Sequence, residues 1–125
     1  MHADTITEKL IGAAIEVHRY LGPGLLESVY QRCLCKEPSS IGLRYETEVP
    51  VTVCYKGEVI TDAYRADLLV EGIVVVELKA VDTINEKHKA QLLTYLKLME
   101  KPVGLLINFN ETVLSRGVRR VVNQY

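Results

Sequence analysis

Ile73-Val74-Val75-Val76-Glu77-Leu78-Lys79 is the stretch that decides the fold. Four β-branched residues in succession favour a strand. An unbroken apolar run means that both faces of that strand are covered, which places it in the middle of a sheet. Glu71-Gly72 precedes it as a turn, and Val59 to Val70 reads as the strand before that turn. Further upstream, Tyr45, Val49, Val51, Val53 and Tyr55 are β-formers, several in alternation, closed by Lys56-Gly57 as a turn. Downstream, Pro102-Val103-Gly104-Leu105-Leu106-Ile107-Asn108-Phe109 is a second buried strand, and Ser115 to Val122 reads as a short strand.

Helices bracket these strands. Thr5-Ile6-Thr7-Glu8 has the form of a capping box, and Ile6, Leu10, Ala14, Val17 and Leu21 follow at helical spacing. Gly22-Pro23-Gly24 ends that helix. Leu26, Val29, Tyr30, Cys33 and Leu34 form the apolar stripe of a second helix, which must stop before Pro38, and Ser39-Ser40-Ile41-Gly42 reads as a loop. Thr83-Ile84-Asn85-Glu86 is a second capping box, opening a helix that carries Ala90, Leu92, Leu93, Leu96 and Met99. The order is α-α-β-β-β-α-β with a further β at the end. This is a mixed α+β (α/β) class, with a central mixed sheet of four or five strands flanked by helices.

Composition bounds the function. The 125 residues are expected to form one domain, 1–125. No apolar run approaches the ~18 residues that span a bilayer, and Met1 to Lys9 lacks a secretory pattern. Cys33, Cys35 and Cys54 make an odd count without metal spacing, which points to a reducing cytoplasm. A formal charge of −1 excludes the strongly basic surface of an avid, sequence-indifferent nucleic-acid binder. Arg116, Arg119 and Arg120 form a small basic group, read as a solvated face. His18 shares a face with Ile11, Ala14 and Leu21 and reads as a buried, hydrogen-bonded histidine rather than a ligand.

Three charges do not read as surface. Asp67 sits inside Tyr64-Arg65-Ala66-Asp67-Leu68-Leu69-Val70, while Glu77 and Lys79 leave the same face of the central strand. Carboxylates held by a strand, with an ammonium beside them, suit a hard cation such as magnesium, which takes oxygen ligands and leaves positions for phosphate. Register decides whether they meet. With a turn of Glu71-Gly72 alone, position 67 faces 76 and the two carboxylates point to opposite faces. With a bulge, or with Glu71-Gly72-Ile73 as the loop, Asp67 pairs with Glu77. Taken alone, the pattern also describes ordinary charges where a strand emerges into solvent.

Gly24-Leu25-Leu26-Glu27-Ser28-Val29-Tyr30 spells GxxExxY. With Tyr64-Arg65-Ala66-Asp67, Val76-Glu77-Leu78-Lys79-Ala80, Gln91-Leu92-Leu93-Thr94-Tyr95 and the Pro102–Phe109 strand, the chain from Ile6 to Asn123 resembles the GxxExxY family of the PD-(D/E)XK nuclease superfamily. One departure is local. The family's second helix usually continues through the positions from Cys35 to Ser40, where Lys36-Glu37-Pro38-Ser39-Ser40 interrupts it here.

The resemblance implies a restriction-endonuclease-like core and a metal-dependent nuclease. Asp67 and Glu77 correspond to the metal-binding carboxylates, Lys79 to the catalytic lysine, and Gln91 and Tyr95 to a QxxxY motif beside the active site. Glu27 corresponds to a first-helix acid reaching the same metal cluster, and the backbone carbonyl of Leu78 to a further metal ligand. Magnesium or manganese is the expected cofactor and nucleic acid, DNA before RNA, the expected partner. Cutting both strands of a duplex would take two copies, so a homodimer is expected. The competing expectation is a non-catalytic module that keeps the nuclease fold as a subunit of a larger assembly.

Overall fold

The computed structural model describes residues 2–37 and 41–124. Its elements are α1 (Ala3–Leu21), α2 (Glu27–Leu34), β1 (Tyr45–Tyr55), β2 (Glu58–Val70), β3 (Val74–Lys79), α3 (Glu86–Met99), β4 (Val103–Asn108), a 3-10 turn (Leu114–Gly117) and β5 (Val118–Val122). The strands form one sheet in the order β1-β2-β3-β4-β5, so the apolar β3 is central, as its sequence requires. Neighbouring pairs are antiparallel except β3 and β4, which run parallel with α3 as their crossover. The mixed α+β architecture expected from sequence is the one observed. No described helix is long and apolar enough to cross a membrane.

Two apolar clusters hold the layers together. On one face Ile6, Leu10, Ala14 and Val17 of α1, with Tyr30 and Leu34 of α2, pack on Leu68, Val70, Val74, Val76, Leu78, Leu105 and Ile107. On the other, Leu92, Tyr95 and Leu96 of α3 pack on Val51, Ala66, Leu69, Val75 and Leu106. Each fully buried Leu, Ile or Val is worth roughly 1.5–3 kcal/mol in transfer free energy, so these clusters dominate the stability of the sheet. Gly104 lies under α3, where an added Cβ would come within 3.0 Å of the Leu92 side chain.

Several boundaries differ from expectation for identifiable reasons. α1 begins at Ala3 rather than near Thr5, because the ring of His2 caps the amide of Asp4. The capping box of α3 is built by Asn85 and His88, whose side chains each take the other's backbone N–H. It does not involve Thr83 and Glu86. In α2 only Tyr30 and Leu34 are buried, whereas Leu26 and Val29 of the expected stripe are exposed. Pro38, Ser39 and Ser40, read as helix stop and loop, lie outside the described residues. The tail does form a strand, preceded by the 3-10 turn.

Alternation also fails at one place on each hairpin strand. Tyr45 contacts the α1/α2 core, but Val49 and Val51 belong to the α3 side, with Glu48 between them at a φ of 51°. On β2, Leu68 and Val70 face α1/α2, whereas Ala66 packs with Leu69 on the α3 side. The pair rolls over around Glu48 and Asp67, a feature that a strict period of two does not anticipate.

Gly104→Ala should destabilise the fold by about 1–3 kcal/mol, as overpacked cores do, read as a lower thermal midpoint. An unchanged midpoint would mean that Leu92 yields without cost.

Candidate active site at the fork between the second and third strands

The β2–β3 turn settles the register. Glu71 and Gly72 both have positive φ, 54° and 66°, and the amide of Ile73 donates to the carbonyl of Val70 at 3.0 Å. This is the primed type of hairpin turn, which matches the twist of antiparallel strands. Ile73 is an extra residue after it, so Val70 faces Val74, Leu69 faces Val75 and Leu68 faces Val76. Continued by one step, that register sets Asp67 opposite Glu77.

At that step the backbone ladder stops and side chains replace it. The amide of Asp67 donates to Oε2 of Glu77 at 2.9 Å, and the amide of Leu78 donates to Oδ2 of Asp67 at 2.8 Å. Each carboxyl thus accepts from the backbone of the opposite strand, and the second oxygen of each lies outside those two bonds. Glu77 is buried, at 6% exposure, and Asp67 is half-buried.

Burial, and then the negative charge of Asp67, push the Glu77 carboxyl up to about 8. Asp67 is also raised, first by burial, against the lowering effect of the Leu78 amide and of Glu77; Glu48 and Glu27 add further negative charge nearby. Burial thus holds both carboxyls above their ordinary range.

Helix α2 ties the two diverging strands together. Gln31 donates its amide nitrogen to the carbonyl of Asp67 at 3.1 Å, and Glu27, one turn earlier, accepts from the amide of Ala80 at 3.2 Å. Tyr30 fixes the loop that feeds α2. Its hydroxyl donates to the carbonyl of Gly22 at 2.5 Å and accepts from the amide of Leu25 at 3.2 Å, while its ring stacks on Phe109 at 4.4 Å. Asn108, fully buried at the end of β4, holds the loop after β3 through the amide and carbonyl of Val81.

The sequence-derived candidates do not all converge. Asp67, Glu77 and Lys79 share the fork, with the Lys79 ammonium close enough to oppose the rise of Glu77. Glu27 reaches the same end of β3 but spends one carboxyl oxygen on Ala80. Tyr95, expected in a QxxxY motif beside the active site, is buried in the α3-side core with Leu92 and Leu96. Positions 92, 95, 96 and 99 fall on one helix face. Burial, and then Glu77, Tyr64 and Asp67, raise its hydroxyl to about 12, so it stays protonated as a donor. Gln91, one turn away, is exposed. The sequence reading missed Gln31 and Asn108; an amide four residues after Glu27 on the same helix face was the available signal for the first.

Other expectations resolve simply. His18 bonds through Nε2 to the carbonyl of Glu111 at 2.7 Å. Arg120 pairs with Asp4, and Arg119 turns back onto the carbonyls of Arg116 and Val118, so the three arginines do not present one basic surface. The three cysteines are free thiols.

The donor chemistry at the fork fits a small hard cation. Among the described residues no three His, Cys, Asp or Glu side chains form a metal cage. Two carboxylates, with the Leu78 carbonyl next in sequence after Glu77, are instead the sparse oxygen set that magnesium accepts while keeping water and phosphate in its remaining positions.

Comparison with known proteins agrees with this architecture. The family model of the PD-(D/E)XK nuclease superfamily matches residues 4–121. Among solved structures, the crystal structure of SSO0001 is similar over 78% of this chain and 50% of its own, with a TM-score of 0.56 at 19% identity. The chain thus spans about half the length of that protein, and the likeness concerns fold alone. No curated protein matches the chain.

In buffer free of divalent ions, stability should fall as pH rises between about 4.5 and about 8. A carboxyl raised in the folded state stabilises fully below its unfolded value and loses that contribution as pH climbs through the folded one. Glu77→Gln should flatten that fall and raise the thermal midpoint at pH 8. Parallel curves for the two proteins would show that Glu77 titrates normally.

Proposed function

The chain belongs to the PD-(D/E)XK nuclease superfamily, and on that premise we propose that it is a metal-dependent phosphodiester hydrolase acting on nucleic acid, DNA before RNA. The observation that carries this reading is the buried Asp67–Glu77 pair at the strand fork, with Lys79 two residues further along the same strand. Within the superfamily we place the chain in the GxxExxY family. Each fixed residue of that motif has a task here: Gly24 lies in the loop before α2, Glu27 holds the end of β3, and Tyr30 locks the loop.

Asp67, Glu77 and the carbonyl of Leu78 would hold magnesium or manganese. When bound, the ion supplies Lewis-acid polarisation of the phosphoryl group and lowers the pKa of water. The chain's own residues do the rest. Two adjacent carboxyls, both raised by burial, create a standing demand for positive charge. Lys79, donor-only, orients the incoming water and offsets charge building on the phosphoryl oxygens. Water oxygen forms the new bond to phosphorus, the bond to the departing sugar oxygen breaks, and that oxygen leaves with a proton. Tyr95, whose hydroxyl stays protonated in the field of Glu77, would offer a hydrogen-bond donor at the site. Gln91, exposed one turn before it, would meet the phosphate chain rather than the carboxyls.

The test is an assay over single- and double-stranded DNA and RNA with magnesium and with manganese. Cleavage by the wild type is expected, with Asp67→Ala, Glu77→Ala and Lys79→Ala each lowering it by about 10²–10³-fold, the usual scale for removing one electrostatic stabiliser. The first two should also abolish metal binding by titration calorimetry. Metal binding unchanged in both would overturn the enzyme reading. Metal binding without cleavage of any nucleic acid would favour the non-catalytic module.

A further inference from the structure

Tyr64 stands apart from the other residues around the fork. It lies on β2 three residues before Asp67, which is roughly 10 Å along an extended strand. Its register partner is Val51, which is fully buried on the α3 side. Tyr64 shares that face but is 49% exposed. Its ring lies 6.0 Å from that of Tyr95, tilted by 53°. Beyond it the β1–β2 hairpin runs on with both strands largely exposed, through Val59, Ile60 and Tyr55, so among the described residues no layer covers the outer side of the ring. An aromatic surface is thus held one nucleotide's reach from the carboxyl pair, braced from below by a buried tyrosine.

The charge balance gives that surface a purpose. With a net charge of −1 and with Glu27 and Glu48 beside the pair, the chain carries no overall basic field to gather a polyanion. Stacking on a base is blind to charge, tolerates any sequence and contributes about 1–3 kcal/mol per base. In an intact duplex, both faces of a base are already covered, so reaching one means unstacking it.

Resting on the nuclease reading above, we propose that Tyr64 is the stacking platform for the base next to the scissile phosphate, so that the preferred substrate is single-stranded or frayed nucleic acid. One copy of the chain then suffices, because no second strand has to be cut.

The experiment compares a short oligothymidylate with a sugar–phosphate oligomer of the same length lacking bases. Binding is measured in calcium and cleavage in magnesium, for wild type, Tyr64→Phe, Tyr64→Trp and Tyr64→Leu. Leucine keeps an apolar cover over Val51 and Tyr95 but has no π-face. Tyr64→Leu should weaken binding and lower kcat/KM on oligothymidylate by about 5–150-fold, the equivalent of that stacking energy. It should leave the abasic oligomer unchanged, while Phe and Trp stay near wild type. Equal losses on both oligomers, or none on either, would overturn the proposal, as would failure of the wild type to bind oligothymidylate. Base-dependent binding without cleavage of any substrate would support the platform while overturning the hydrolase reading alone.

Discussion

The structure around the fork depends on one exchange of hydrogen bonds. Where β2 and β3 stop pairing through their backbones, the carboxyl of Glu77 takes the amide of Asp67 and the carboxyl of Asp67 takes the amide of Leu78. In a continuous ladder those amides would donate to carbonyls, and the carboxyls would be free to leave for solvent. Here the carboxyls serve as the last rung. They cannot swing away without stranding two buried donors, each worth about 1–3 kcal/mol if left unmade. Two like-charged groups are therefore held together inside the protein by the backbone itself.

Everything else at this end of the sheet keeps the fork at a set width. Gln31 grips β2 at the carbonyl of Asp67 and Glu27 grips the chain just beyond β3 at Ala80, both from the short helix α2. That helix is in turn anchored by Tyr30, wedged on Phe109 and bonded to the loop before it. With only eight residues and two buried side chains, α2 has little stability of its own. Its contacts with the strands are what give it a fixed position, and the fork gains a brace in return. From the opposite face Tyr95 closes the core against the same pair.

Much of this was legible in the sequence because it follows from short-range patterning. The unbroken apolar run at Ile73–Val76 places β3 in the centre, and the two left-handed residues Glu71 and Gly72 with Ile73 as an extra residue supply the register that the Asp67–Glu77 pairing needs. What escaped depended on tertiary packing. Tyr95 joins the core because 92, 95, 96 and 99 fall on one helix stripe, which the QxxxY spacing alone does not reveal. The roll of the β1–β2 pair arises at Glu48, a residue with no sequence mark for positive φ. The helix starts were misplaced because histidines, His2 and His88, serve in caps where Ser, Thr, Asp or Glu are the usual signals.

The electrostatic balance also explains how an acidic chain is reconciled with a polyanionic partner. Asp67 and Glu77 repel each other and sit near Glu27 and Glu48. The arginines that could have offset them elsewhere are spent on Asp4 and on backbone carbonyls. A phosphate approaching the fork therefore meets the negative charge of the carboxyls, with the Lys79 ammonium opposing it. Proton and cation compete for the same oxygens, since raised carboxyl pKa values and a demand for a divalent ion are two expressions of one unfavourable burial. A cation at the fork would displace a proton from those oxygens and reduce the local negative charge, so affinity for phosphate would rise with occupancy of that site.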